Sequence, residues 1–223
     1  MSKRRVLVLR PEPAASATVA KAREYGLDAV AIPLFKTEPV AWQVPEAARF
    51  DGLLLTSANA VRCAGAEVRS LRGLKTFAVG EATAKAAREA GFDIAATGDA
   101  GVDRLLDSLE PGLNLLHLCG ADRRLPINVK QQITPLVVYR SRTLDAPDLS
   151  DARGSAALIH SPRAGKRLAE LVDRRDAIAI VAISGAAAAA VGGGWESVDV
   201  AEQPGDDALL ALAARLCNNS FPK

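Results

Sequence analysis

Gly52-Leu53-Leu54-Leu55-Thr56-Ser57-Ala58-Asn59-Ala60-Val61 is an apolar run that breaks on two hydroxyl residues and resumes as a helix pattern. The same grammar returns at Ala157-Leu158-Ile159-His160-Ser161-Pro162-Arg163, where His160 follows Thr56 at an offset of 104 residues. The offset holds for Ala78-Val79-Gly80-Glu81 against Ala182-Ile183-Ser184-Gly185. It slips by one at Gly91-Phe92 against Gly194-Trp195, then returns at Gly101-Val102-Asp103 against Gly205-Asp206-Asp207, with Leu105-Leu106 over Leu209-Leu210. A duplicated succession of strand, polar turn and helix predicts two similar modules, and a cleft between them is the natural place for a ligand.

The rest of the chain fits that frame. At 223 residues it has room for one large domain or for two of about a hundred residues each. Half the residues are apolar (49%) but only 4% are aromatic, so Ala, Val, Leu and Ile build the core, as suits helices packed on parallel sheets. Strands are predicted at 6–9, 52–55, 76–79, 94–96, 113–119, 137–139, 157–159, 178–183 and 198–201. Helices are predicted at about 15–25, 82–90, 101–109, 164–172, 186–191 and 206–217, with a further one after Ser57. Residues 29–35 read as a strand carrying Pro33, which suits an edge or connecting strand, and Pro135 stands likewise before Val137. Gly192-Gly193-Gly194 ends the poly-Ala helix as a cap or tight turn. The fold class is α/β: two similar domains, each a mostly parallel sheet flanked by helices.

A net charge of +2 gives no reason to expect nucleic acid, and no apolar run is long enough to span a bilayer. No signal peptide is read at the basic start, and Cys63, Cys119 and Cys217 are widely spaced with no CxxC, so a reduced, cytoplasmic protein is expected. With only His117 and His160 available, no metal site stands out. GxGxxG after a strand, GxxxxGK[ST] and GxSxG are all missing, which removes the common dinucleotide, P-loop and serine-hydrolase readings. His160 and Ser161 are neighbours on an extended segment and point opposite ways, so they make no nucleophile–base pair. His117 alternates with Leu116 and Leu118 and reads as packed or capped. Asp206-Asp207 and Asp99/Asp103 read as helix-start acids.

In open parallel sheets ligands meet the loops at the carboxyl ends of strands. Those loops are Arg10-Pro11, Thr56–Asn59, Gly80–Thr83, Cys119-Gly120-Ala121, Ser161–Gly165 and Ser184–Ala186. Most carry small or hydroxyl residues that lead into helix starts, where free N–H groups and the helix dipole favour anions. The hydroxyls can equally cap their helices. Arg62, Arg123, Arg124, Arg140 and Arg163 lie near in sequence and suit carboxylates or phosphates. Six such loops, four at duplicated positions, point to a polyanionic ligand. Tyr139 ends the Val137-Val138 run in the segment joining the modules, where its phenol can donate a proton or hydrogen bond to a departing group, or simply pack.

Set in order, Thr56-Ser57-Ala58-Asn59-Ala60-Val61, Val79-Gly80-Glu81-Ala82-Thr83-Ala84 and Leu118-Cys119-Gly120-Ala121-Asp122-Arg123 resemble the uroporphyrinogen-III synthase family. Val138-Tyr139-Arg140-Ser141, Ser161-Pro162-Arg163-Ala164-Gly165, Ala182-Ile183-Ser184 and Val200-Ala201-Glu202-Gln203-Pro204 continue the resemblance over nearly the whole chain. It implies two α/β domains joined by two extended linkers, out of repeat order: 1–32 with 144–223, then 39–136, with linkers at 33–40 and 133–143. It also implies a substrate, hydroxymethylbilane, a linear tetrapyrrole with eight carboxylates. That substrate would lose its terminal hydroxyl to give an azafulvene. It would then close with inversion of the last pyrrole through a spiro intermediate, without a cofactor, while domain closure holds the chain curled.

Tyr139 matches the family's linker tyrosine and is the catalytic candidate. The substrate-binding candidates are Arg10, Pro11, Thr56, Ser57, Ala58, Asn59, Gly80, Glu81, Thr83, Gly120, Ser161, Arg163, Ser184 and Gly185. Two departures stand out. Ala186-Ala187 replace a hydroxyl pair, and the 124–132 stretch, interrupted by Pro126, is short for the helix implied there, which leaves open whether Arg123 and Arg124 reach the substrate. A monomer with no nucleic-acid or membrane partner is expected. The rival readings are a non-catalytic two-domain binder of a small anion and a nucleotide-binding regulator.

Overall fold

A computed structural model describes residues 4–99, 101–123, 126 and 129–218. Among them the strands are β1 (Val6–Val8), β2 (Ala29–Ala31), β3 (Phe35–Pro39), β4 (Gly52–Leu55), β5 (Lys75–Val79), β6 (Ile94–Gly98), β7 (Asn114–Gly120), β8 (Gln132–Thr143), β9 (Ala156–Ile159), β10 (Ala179–Ala182) and β11 (Ser197–Val200). The helices are α1 (Ala14–Glu24), α2 (Ala58–Cys63), α3 (Glu81–Glu89), α4 (Val102–Asp107), α5 (Pro162–Leu171), α6 (Gly185–Val191) and α7 (Asp206–Asn218). The chain divides into two compact units, one made of Met1–Lys36 with Thr143–Lys223 and the other of Thr37–Arg142.

The first unit is a five-stranded sheet in the order β11-β10-β9-β1-β2, with every pair parallel. Its inner strands β1, β9 and β10 are buried along their whole length, which is why they read as unbroken apolar runs. Successive residues feed opposite faces. Val6 and Val8 pack with α1 and α7 through Val19, Leu209 and Leu210, whereas Leu7 and Leu9 pack with α5 and α6 through Leu168 and Val191. Each fully buried leucine contributes about 2 kcal/mol of transfer free energy. The edge strand β11 alternates half-buried and exposed residues. The run at 29–35 is not one strand: β2 stops at Ala31, and β3 begins only after Pro33, which has no N–H to give a ladder.

The second unit is a six-stranded sheet, β3-β8-β7-β4-β5-β6, parallel from β8 to β6. Its strands β4, β5 and β6 with α2, α3 and α4 repeat β9, β10 and β11 with α5, α6 and α7, and β7 and β8 take the places of β1 and β2. The 133–143 segment, expected as an extended linker, is extended. It lies within the twelve-residue strand β8, which pairs with β7 from Asn114↔Gln132 to Gly120↔Tyr139. The other face of its ladder meets β3, where Val40 N–H bonds Val138 C=O (2.9 Å). Pro135 precedes that contact, on the part of β8 that β3 does not cover, where a missing N–H costs nothing.

Candidate active site

Four parallel strands of the second unit, β4 to β7, end along one edge of its sheet while β8 runs on past it to Thr143, and their register identifies the residues found there. Leu55 pairs with both Leu118 and Ala78, while Gly120 pairs with Tyr139. Ser57, Gly120 and Gly80 each follow one of these paired residues by two positions. Gly120 with Tyr139 beside it, Ser57 and Gly80 thus lie at or just beyond the carboxyl ends of the neighbouring strands β7, β4 and β5.

Tyr139 fixes the first part of that group. Its half-buried ring lies directly on Gly120, so close that a Cβ there would come 2.7 Å from the ring's Cζ and 3.0 Å from the phenol oxygen. Only glycine permits this approach. A backbone bond from Ala121 N–H to Tyr139 C=O (2.9 Å) ties the end of β7 to β8. Among the described residues the phenol oxygen has no hydrogen-bond partner, so its O–H is available to another molecule. Arg140, the next residue, turns instead to the surface and pairs with Glu38 (3.5 Å).

Thr56, beside it, is held from below. Its Oγ1 shares a 2.9 Å hydrogen bond with Nε2 of His117, which sits on β7 with 1% of its surface exposed. Burial, and secondarily the positive charge of Arg123, lower the His117 pKa from 6.5 to about 4, so the imidazole is neutral at pH 7. Arg123 follows β7; its Nε is buried without a hydrogen-bond partner, and its charge also opposes the burial that raises the Cys119 thiol. Arg124 lies outside the described residues.

The helix starts divide into two kinds. Ser57 caps α2, its Oγ accepting from Asn59 N–H (3.2 Å), so Ala58 and Asn59 form the first turn. Gly80 opens α3 with φ +81° and no side-chain cap, its own N–H bonded to Gly98 C=O (2.7 Å). Glu81 is exposed and paired with Arg88 (2.6 Å), a poor neighbour for an anion. Thr83 is only 5% exposed and shares the core face of α3 with Ala84, Ala86 and Ala87, so it does not line the edge.

The first unit repeats the pattern at its own strand ends. Ser161 caps α5 by accepting from Ala164 N–H (3.2 Å), and Ser184 caps α6 by accepting from Ala187 N–H (3.3 Å), with Gly185 as the first helical residue. The two helices pack closely at Gly165, where a Cβ would stand 2.9 Å from Val191 Cγ1 and 3.0 Å from Ala187 O. Arg163 stacks on Phe35, its Cζ 4.5 Å from the ring centre. Gly192, with φ +67°, closes α6, so the glycine triplet is a helix stop.

Arg10 is already engaged. Its Nη1 donates to both oxygens of Asp206 (3.0 Å each) and to Thr18 Oγ1 (3.3 Å), and Thr18 donates to Asp206 Oδ2 (2.8 Å). Pro11 supplies the carbonyl that takes Ala15 N–H at the start of α1 (3.2 Å). His160 completes the cluster with 8% of its side chain exposed. Its Nε2 lies 3.4 Å from Asp206 Oδ1, but neither ring nitrogen makes a well-aligned hydrogen bond. The His160 imidazole first, then the Thr18 hydroxyl and Arg10, hold the Asp206 carboxyl well below the usual carboxylate range. Among the described residues no group of three or more His, Cys, Asp or Glu is placed to hold a metal ion.

The sequence profile described as uroporphyrinogen-III synthase HemD matches residues 16–211 of this chain. The chain belongs to the uroporphyrinogen-III synthase family. A curated uroporphyrinogen-III synthase from Chlorobaculum parvum is 34% identical over 98 residues, 40% of each chain, so that match spans less than half of the relative's length. The uroporphyrinogen-III synthetase of Helicobacter pylori shares the fold, with a TM-score of 0.66 at 17% identity over 96% of this chain and 99% of that one. A mutant uroporphyrinogen III synthase of Thermus thermophilus aligns with a TM-score of 0.53 at 21% identity, covering 96% of this chain and 99% of the other. Among the described residues no helix is long and apolar enough to cross a membrane.

Two contacts near the strand ends were not legible in the sequence. His117 under Thr56 and Asp206 on Arg10 each join residues far apart in the chain: the pairing of β4 with β7 brings the first two together, and the placement of α7 brings the second two. The one local signal was the hydroxyl at the end of β4 beside a histidine that interrupts the apolar β7.

Proposed function

We propose that this chain cyclises hydroxymethylbilane to uroporphyrinogen III, releasing the terminal hydroxyl as water. The observation that carries the reading is the strand-end group of the second unit, together with the family match that surrounds it. Tyr139 presents an uncommitted phenol O–H beside Gly120 in the sheet whose strands β4 and β5 lead into the starts of α2 and α3, which suits departure of a hydroxyl from a substrate held by its carboxylates. Thr56 and Ser57 supply hydroxyl donors along the same edge, next to the α3 start that Gly80 opens, and Ser161, Ser184 and Gly185 supply donors in the first unit. Each capping serine accepts a helix N–H and keeps its own proton to give to a carboxylate.

The chemistry asks little of the protein as acid or base. One proton goes to the leaving hydroxyl, and one is lost from the closing ring after the new carbon–carbon bond forms. The harder task is to hold the last pyrrole so that attack falls on its substituted carbon. We read Tyr139 as the proton or hydrogen-bond donor, Thr56, Ser57, Gly80, Gly120, Ser161, Ser184 and Gly185 as substrate-holding, and Arg10 as held by Asp206 rather than freely offered. The two sheets are read as two domains of one monomeric, cytoplasmic enzyme that needs no cofactor, a small net charge of +2 arguing against nucleic acid.

The test is a coupled assay: hydroxymethylbilane is made in situ, the protein added, the products oxidised, and the type I and type III uroporphyrins separated. Predominantly type III product is expected. Type I at the level without enzyme, from a folded sample, refutes the reading. Tyr139→Phe is expected to lower turnover about tenfold or more while substrate affinity changes little. Equal losses in both would remove the phenol from the chemistry.

A further inference from the structure

We propose that His117 is a positioning residue for Thr56: its Nε2–H donates to Thr56 Oγ1 and so turns the threonine's own proton outward, as a donor to the substrate's anionic groups. The proposal rests on the reading of the site as one that holds a polycarboxylate. A hydroxyl has one proton. If Thr56 spent it on the imidazole, only lone pairs would face an incoming carboxylate, and the contact would repel. If the imidazole donates instead, the same 2.9 Å bond leaves the threonine proton free to point away from it.

Three observations fit His117 to that role. His117 is almost fully buried in the middle of β7, so it touches no ligand and can act only through Thr56. Its imidazole is neutral at pH 7, and a neutral ring has a single N–H, whose place is set by its partners. The charge of Arg123 discourages a second proton on the ring, and that guanidinium keeps a buried Nε with no hydrogen-bond partner close to the strand end. Thr56 is therefore oriented by a rigid, uncharged donor on the neighbouring strand, and one residue on, Ser57 belongs to the same strand-end group as Gly120 and Tyr139.

A double-mutant cycle tests this on the full chain, with folding checked by circular dichroism. His117→Phe fills the space but removes the donor, and kcat/KM is expected to fall about tenfold; Thr56→Val should cost about the same. His117→Gln, whose amide nitrogen donates from nearly the same place, should stay within about threefold of wild type. The double variant His117→Phe/Thr56→Val should lose no more than Thr56→Val alone. Losses that multiply, or a Gln variant no better than Phe, overturn the proposal.

A second readout does not depend on activity. With only two histidines in the chain, nitrogen-15 labelling of histidine gives a spectrum simple enough to assign. A protonated Nε2 on His117 whose signal moves in Thr56→Val supports the proposal; a bare Nε2 overturns it. Absence of type III product from the wild-type protein would sink the enzymatic reading separately, and the nitrogen spectrum would still decide the direction of the bond.

Discussion

Lowering the pH from 7.5 to 5 should destabilise the Thr37–Arg142 unit by about 2 kcal/mol through His117 alone. The imidazole titrates near 6.5 when exposed in the unfolded chain and near 4 when folded. The folded state therefore binds fewer protons in that window, so stability is full above about pH 6.5 and is lost as pH falls towards 4. Each tenfold difference in proton affinity between the two states is worth roughly 1.4 kcal/mol, which makes the whole effect about 3 kcal/mol. About two-thirds of it is lost by pH 5. Trp42, whose Nε1 donates to Ala64 O (2.9 Å), reports this unit, and Trp195, bonded to Val191 O (3.1 Å), reports the other. Urea unfolding followed by Trp42 fluorescence in a Trp195→Phe background should show the midpoint falling by about 1 M over this range, for a slope near 2 kcal/mol/M. His117→Gln keeps a hydrogen-bonding nitrogen near Thr56 but does not titrate, and its midpoint should fall much less. Equal pH slopes in the two proteins would refute the argument, because the exposed carboxylates they share would then account for all of the loss.

Two further substitutions probe the close contacts of the site. Gly120→Ala places a methyl 2.7 Å from the Tyr139 ring, and the ring must move; we expect a cost of about 1–3 kcal/mol in the unfolding of this unit and a loss of type III product in the coupled assay. Ser161→Ala removes the cap of α5 and should cost about 1 kcal/mol in the Trp195-reported transition, with weaker substrate binding beyond what the lost stability explains.

The fold was legible where one physical cause dominated. Buried parallel strands must be apolar throughout, so 52–55, 157–159 and 178–183 announced β4, β9 and β10, and the hydroxyl residues after them announced helix starts. The 133–143 segment was harder. An extended linker has the backbone of a strand, and its sequence does not name the partners it takes on β7 and beside β3, one of those contacts running from Val40 to Val138. Thr83 could have been placed on the core face from its spacing, since Ala86 and Ala87 lie three and four residues on. The links from Thr56 to His117 and from Arg10 to Asp206 could not, because the first depends on which strands are neighbours and in what register, and the second on where α7 is placed against its sheet.

Asp206 sets the character of the first unit's edge, and removing it separates two roles that Arg10 could have. As the pair stands, a partly buried carboxylate neutralises the guanidinium, so an anion there meets helix N–H groups and serine hydroxyls rather than an open cation. The carboxyl is held below its ordinary value of 3.8, so it contributes stability above about pH 4 and loses it as pH falls further. Asp206→Asn keeps the shape, removes the charge and weakens the bonds to Arg10 and Thr18. We expect about 2 kcal/mol of destabilisation in the Trp195-reported transition. Because Arg10 is then released, the folded variant should bind benzenehexacarboxylate more tightly than wild type at low salt, and the advantage should shrink as salt is added. Weaker binding by a folded variant would contradict this. It would mean that Asp206 holds Arg10 in position for the ligand, and that the pair works as one group rather than as a restraint on the cation.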